Sequence, residues 1–103
     1  MYVVTNRIDV KKGFAEKMAP KFTQGGKIQE LKGFQKVEVW LIDNKEDYDQ
    51  MYINTWWDTK EDFNGWLKSD AFKEAHEGKS TTENEDSPIL GNKVVKANVI
   101  SKL

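Results

Sequence analysis

The sequence has no cysteine, a single histidine (His76), a single arginine (Arg7) and two prolines among 103 residues. Without cysteine there is no disulfide, no thiolate-ligated zinc, no iron–sulfur cluster, and no thiolate-bound or covalently attached haem. With one histidine, a multi-histidine metal site would have to draw on carboxylates or a second subunit. Net charge is −1, and fifteen of the sixteen cations are lysines. Neither the weak field nor the missing guanidinium forks suits specific binding of phosphates or bases, so no nucleic-acid partner is expected. No apolar run approaches the ~20 residues that span a bilayer. The first residues, MYVVTNRIDVKKG, lack the basic start and apolar centre of an export signal. A cytoplasmic protein with no membrane partner is expected.

What is present is ordinary for a folded domain: 38% hydrophobic and 32% charged residues, enough for one core, so residues 1–103 are read as one domain. Residues 2–10 alternate at period two, with Val4, Asn6, Ile8 and Val10 on one face, which predicts a strand. Phe14, Met18 and Phe22 form an i, i+4 row that predicts a helix over 14–31. Pro20 should kink or restart it, and Gly25-Gly26 should weaken it. Residues 34–42 and 48–57 read as strands joined by the polar turn 43–47. Asp58 or Thr59 can cap a following helix whose apolar stripe is Phe63, Trp66 and Leu67. At 100° per residue, Phe72, Ala75 and His76 would fall opposite that stripe, so the axis is expected to break near Ser69-Asp70. Residues 77–91 are polar and aperiodic and read as a mobile loop; residues 92–101 read as a fourth strand.

The order βαββαβ predicts an α+β, ferredoxin-like fold: an antiparallel sheet with helices on one face. Trp40, with Trp56 or Trp57 and the strand aliphatics, would leave apolar surface on the other face. That surface predicts a homodimer, paired sheet to sheet.

Singly, the candidate residues have plain structural roles: Asn6 as an amide bonded to its neighbours, Trp66 as core, His76 as a helix-end cation. Together they suggest a site. Helices laid on the sheet would place Asn6 opposite Phe63, Trp66 and Phe72. Those aromatics would make a slot with His76 at its rim, suited to a flat apolar ligand carrying a metal, namely haem. Met18 and Met51 are further candidates for an axial position.

Four segments carry a resemblance: TNR at 5–7, LKGF at 31–34, WLKSDAFKEAH at 66–76 and SPILGNKV at 87–94. The chain resembles the IsdG-type haem-degrading monooxygenases, a branch of the antibiotic-biosynthesis monooxygenase superfamily of dimeric α+β barrels. The resemblance implies that Asn6, Trp66 and His76 are the catalytic residues. It implies His76 as the proximal ligand of haem iron, the only metal contact. Haem would be both substrate and oxygen-activating centre, with O2 and electrons from an unidentified reductase or small-molecule reductant. Asn6, Phe22, Phe63, Trp66, Phe72 and His76 are the expected haem contacts. Two other readings stay open: a non-catalytic haem carrier or sensor, and a cofactor-free monooxygenase of a small aromatic substrate with His76 as base.

Overall fold

The computed structural model describes residues 1–24, 27–70, 72 and 88–103. His76 and the first eleven residues of the expected loop, 77–87, lie outside them. Four strands, β1 (Tyr2–Lys11), β2 (Phe34–Leu41), β3 (Tyr48–Trp57) and β4 (Ile89–Asn98), form one antiparallel sheet in the order β2-β3-β1-β4. With helices α1 (Ala15–Phe22) and α2 (Lys60–Leu67), this is the ferredoxin-like α+β arrangement. The central strands carry the alternation that the sequence shows. Tyr2, Val4, Ile8 and Val10 of β1 are buried beneath the helices with Met51 and Trp57 of β3. The edge strands carry Lys36, Glu38, Lys93 and Lys96, charges that discourage open-ended strand pairing.

Two boundaries depart from the sequence reading. The helix expected over 14–31 ends at Phe22, two residues past Pro20, and a short 3-10 turn follows at Lys27–Glu30. Pro20 lacks the donor that would bond the Glu16 carbonyl, and the Thr23 amide instead closes a tight turn onto the Pro20 carbonyl at 3.2 Å. The start of α1 is held from outside the helix: Asp49 Oδ2, on β3, accepts from the amides of Gly13 (2.9 Å) and Ala15 (3.4 Å). Strand β4 begins at Ile89 rather than at residue 92, because the Lys11 amide bonds the Pro88 carbonyl at 2.9 Å and starts the pairing early.

The break after α2 falls where the sequence places it. Thr59 Oγ1 accepts from the Asp62 amide at 3.1 Å and begins the helix. Ser69 Oγ donates to the Trp66 carbonyl at 2.6 Å and accepts from the Phe72 amide at 3.2 Å. One hydroxyl thus closes α2 and caps the helical turn that resumes at Asp70. Gly33, at φ +83°, turns the chain into β2. Its carbonyl accepts from the Asp58 amide at 2.8 Å, and the Asp62 side chain occupies the space a Cβ would need.

The tryptophan pair at 56–57 straddles the sheet. Trp57 is fully buried under α2, whereas Trp56 joins Trp40 on the face that no helix covers among the described residues, ring centroids 6.4 Å apart. That face is less apolar than expected. It carries Arg7 over the Tyr52 ring, Lys36 over the Trp56 ring, and Thr5 bonded to a buried Asn54 at 2.7 Å. The Trp40 indole donates to Glu38 and, with Lys36, holds that carboxyl below its ordinary range.

Candidate functional site

The core under the helices is not continuous. One cluster gathers Tyr2, Val4, Trp57 and Phe63, with Leu31, Phe34 and Trp66 packed against it. The other gathers Ile8, Val10, Ala15 and Met51, with Met18, Phe22, Val39 and Ile53 packed against it. On β1 the first ends at Val4 and the second begins at Ile8. Asn6 is the residue between them.

Strand register extends this gap into a floor. Asn6 pairs with Ile53 on β3 and Val94 on β4, and Ile53 pairs with Val39 on β2. The row Val39–Ile53–Asn6–Val94 therefore crosses all four strands on the helix side of the sheet. Its Val39 and Ile53 pack against the α1 cluster, and Asn6 lies between that cluster and the α2 cluster. Val94 is 49% exposed, so the β4 end of the row is open. Asn6 is the only polar member. Its Oδ1 accepts one long hydrogen bond, 3.4 Å, from Asn92 Nδ2, and its own Nδ2 donates to no group among the described residues.

The α2 wall is aromatic and interlocked. Trp66 stacks on Trp57 (5.9 Å, 29° between planes), lies 6.0 Å from Phe63, and takes Phe72 edge-on at 4.9 Å and 87°. The break at Ser69 accounts for that last contact: on an unbroken helix Phe72 would face away from Trp66. Lys96, from β4, reaches over the Phe63 ring at 5.7 Å. Leu67, placed in the same stripe by spacing, is instead exposed.

Of the expected contacts, Asn6 therefore lies on the helix side of the sheet between the two clusters, and Phe63, buried, gathers with Trp66 and Phe72 on the α2 side. Phe22 packs with the α1 cluster across the gap. Met51 is fully buried in that cluster, where its sulfur serves packing rather than ligation. Sequence reasoning missed Asn92, because the strand holding it was expected to begin there; it also missed the Asp49 cap. Among the described residues no cluster of three or more His, Cys, Asp or Glu could hold a free metal ion, and no helix is long and apolar enough to cross a membrane.

The family model for antibiotic biosynthesis monooxygenases matches residues 1–78. The chain belongs to this family. Its resemblance to the haem-degrading branch is borne out by sequence relatives. A protein of Staphylococcus saprophyticus called haem oxygenase (staphylobilin-producing) is 87% identical over 100% of this chain and 99% of its own. One of the same name from Staphylococcus haemolyticus is 58% identical over the same shares. Among solved structures, a family member from Bacillus cereus superposes with a TM-score of 0.81 at 19% identity, covering 99% of this chain and 95% of that one. The haem degrader MhuD of Mycobacterium tuberculosis, solved with two haems in its active site, gives 0.71 at 19% over 100% and 99%. These distant structures establish the fold. As an antibiotic biosynthesis monooxygenase family member, the chain sets one amide in an otherwise apolar row of the sheet, with a group of packed rings on the α2 side.

Proposed function

We propose that residues 1–103 form one haem-degrading monooxygenase domain, which binds haem in a cleft between these rings and Asn6 and opens the macrocycle with O2 and electrons from an external reductant, releasing iron. The observation that carries this reading is the unpaired Asn6 Nδ2, aimed from the floor of an otherwise apolar row. Asn6 is half-buried, and among the described residues no buried side-chain N or O lacks a partner, so its NH2 is open to solvent and free to donate to a ligand laid on that row. The names of the 87% and 58% identical relatives point the same way and suggest an open-chain tetrapyrrole of the staphylobilin type as product.

The residues fit haem. Trp66 and Phe72 would offer ring faces and edges to a porphyrin, with the buried Phe63 backing Trp66 from the core, and Phe22 would offer another ring from the α1 side. His76 would hold the iron through a neutral imidazole, leaving the opposite side to O2. Asn6 Nδ2 would donate a hydrogen bond on that side, stabilising negative charge as it develops. Trp66 would press on the macrocycle and ruffle it, bringing a meso carbon towards the oxygen. Trp57 and Phe72 hold its ring from two directions, so it cannot easily yield.

The test is to add haemin and then ascorbate in air, with catalase present to remove free peroxide. Loss of the Soret band with release of iron is expected. A Soret band that persists would make the protein a carrier or sensor, and failure to bind haemin would leave a cofactor-free oxygenase. For Trp66 the informative variant is Trp66→Phe, which keeps a ring against Trp57. It should bind haem with near-normal affinity, show a flatter porphyrin by resonance Raman, and degrade it more slowly. Wild-type ruffling and rate in that variant would remove Trp66 from the mechanism.

The homodimer belongs to the same proposal. Trp40 is 46% exposed and lies beside Trp56 on the sheet face that no helix covers among the described residues. A second copy laid on that face would bury both. Sedimentation should give twice the chain mass at micromolar concentration, and a stable monomer would count against the paired sheets. The cytoplasm, where reductants are abundant, is the compartment this chemistry suits.

A further inference from the structure

We infer that Asn92 is a positioning residue: it fixes which end of the Asn6 amide faces the haem. The inference rests on the haem reading of the cleft and extends it to a residue outside the Asn6–Trp66–His76 set. A carboxamide is nearly symmetric in shape, but one end donates and the other accepts. A distal amide helps only if its NH2 faces the oxygen; turned over, it would present a lone pair to developing negative charge. Something must hold the useful orientation.

The sheet register shows what is within reach. Along β1 the same-face neighbours of Asn6 are Val4 and Ile8, and across the ladders they are Ile53 and Val94. None can tell oxygen from nitrogen. The diagonal neighbours are Met51 and Thr55 on β3, and Asn92 and Lys96 on β4. Met51 is buried under α1. The Thr55 hydroxyl is committed, donating to the Val4 carbonyl at 3.4 Å and accepting from Trp57 Nε1 at 3.0 Å. Lys96 reaches towards Phe63. Among the described residues Asn92 alone bonds the Asn6 side chain, and it does so as the donor, Nδ2 to Oδ1 at 3.4 Å. That engages the carbonyl end of Asn6 and leaves its NH2 for the ligand. The bond is long and exposed to solvent, so a variant at Asn92 tests it without disturbing the core.

Isosteric substitutions separate orientation from packing. Asn92→Asp places an acceptor where the donor stood, so Asn6 should turn its NH2 towards the carboxylate and its oxygen towards the haem. Asn92→Leu keeps the bulk and removes the bias. Asn92 is exposed on an edge strand, so both variants should fold. The readout is the C–O stretch of the ferrous carbonyl complex, which a hydrogen-bond donor lowers and a lone pair raises. The expected order is wild type lowest, Asn92→Leu intermediate, and Asn92→Asp highest. Haem affinity should be unchanged, and the single-turnover degradation rate of Asn92→Asp should fall towards that of Asn6→Ala. A wild-type stretch in Asn92→Asp overturns the inference, as does a shift no larger than that of Asn92→Leu, which would make Asn92 a packing neighbour only. Asn6→Ala serves as the control for the underlying reading. If it leaves the stretch unchanged, Asn6 does not face the iron's ligand, and both the distal role and the inference built on it fail.

Discussion

Asn6→Ala is expected to bind haem with close to wild-type affinity and to degrade it roughly a hundredfold or more slowly. The two effects separate because they draw on different physics. Affinity for a porphyrin comes mainly from apolar area removed from water, at about 25 cal/mol per Å². In the proposed site that area would be offered by Trp66, Phe72 and the aliphatic floor rather than by one amide, Phe63 being buried in the core already. Rate depends on what is bound more tightly in the transition state than before it. A fixed donor aimed at growing charge is worth about 3 kcal/mol in such settings. Asn6 is well placed to act this way. It sits on the central strand β1, paired on both sides, so its Cα cannot drift. Its carbonyl end is already engaged by Asn92. The measurement is haem affinity beside single-turnover degradation. Normal binding with a wild-type rate would return Asn6 to the status of a strand amide.

His76→Ala is expected to abolish turnover and to change the ferric haem spectrum, with partial recovery of both on adding imidazole. The chain has no second histidine and no cysteine to take over the iron. The remaining candidates are poorly placed: Met51 is fully buried beneath α1, and Tyr2 is enclosed in the aromatic cluster at 5% exposure. Met18 is only half-buried beside the α1 cluster, but a neutral thioether would shift the spectrum rather than preserve it. Apolar burial should still hold some haem in the variant, so loss of ligation can be read separately from loss of binding. An unchanged ferric spectrum would mean that another residue is the ligand, and the proximal role of His76 would fall.

Much of the architecture was legible along the chain because it is written in short-range patterns. Alternation in 2–10 and 48–57 marks strands wherever they end up. Ser69, three residues after Trp66 and three before Phe72, is a local stop-and-start signal that works through its own hydroxyl. Absence was informative too: one histidine and no cysteine reduced the metal chemistry to very few options before any fold was considered.

Other features were decided only by tertiary structure. Period two guarantees that Trp56 and Trp57 face opposite ways, but not which of them is covered. The register Tyr2↔Trp57 decides that, placing Trp57 against Phe63 and leaving Trp56 with Trp40. Asp49 reads as one more acid near a polar turn until the fold carries it to the start of α1. Asn92 lies 86 positions from Asn6, and nothing local links them. The sequence by itself determined the types of element, the break that returns Phe72 to Trp66, and the family. The structure decided which side chains meet across strands, because register is set by the packing of whole faces and no local pattern encodes it.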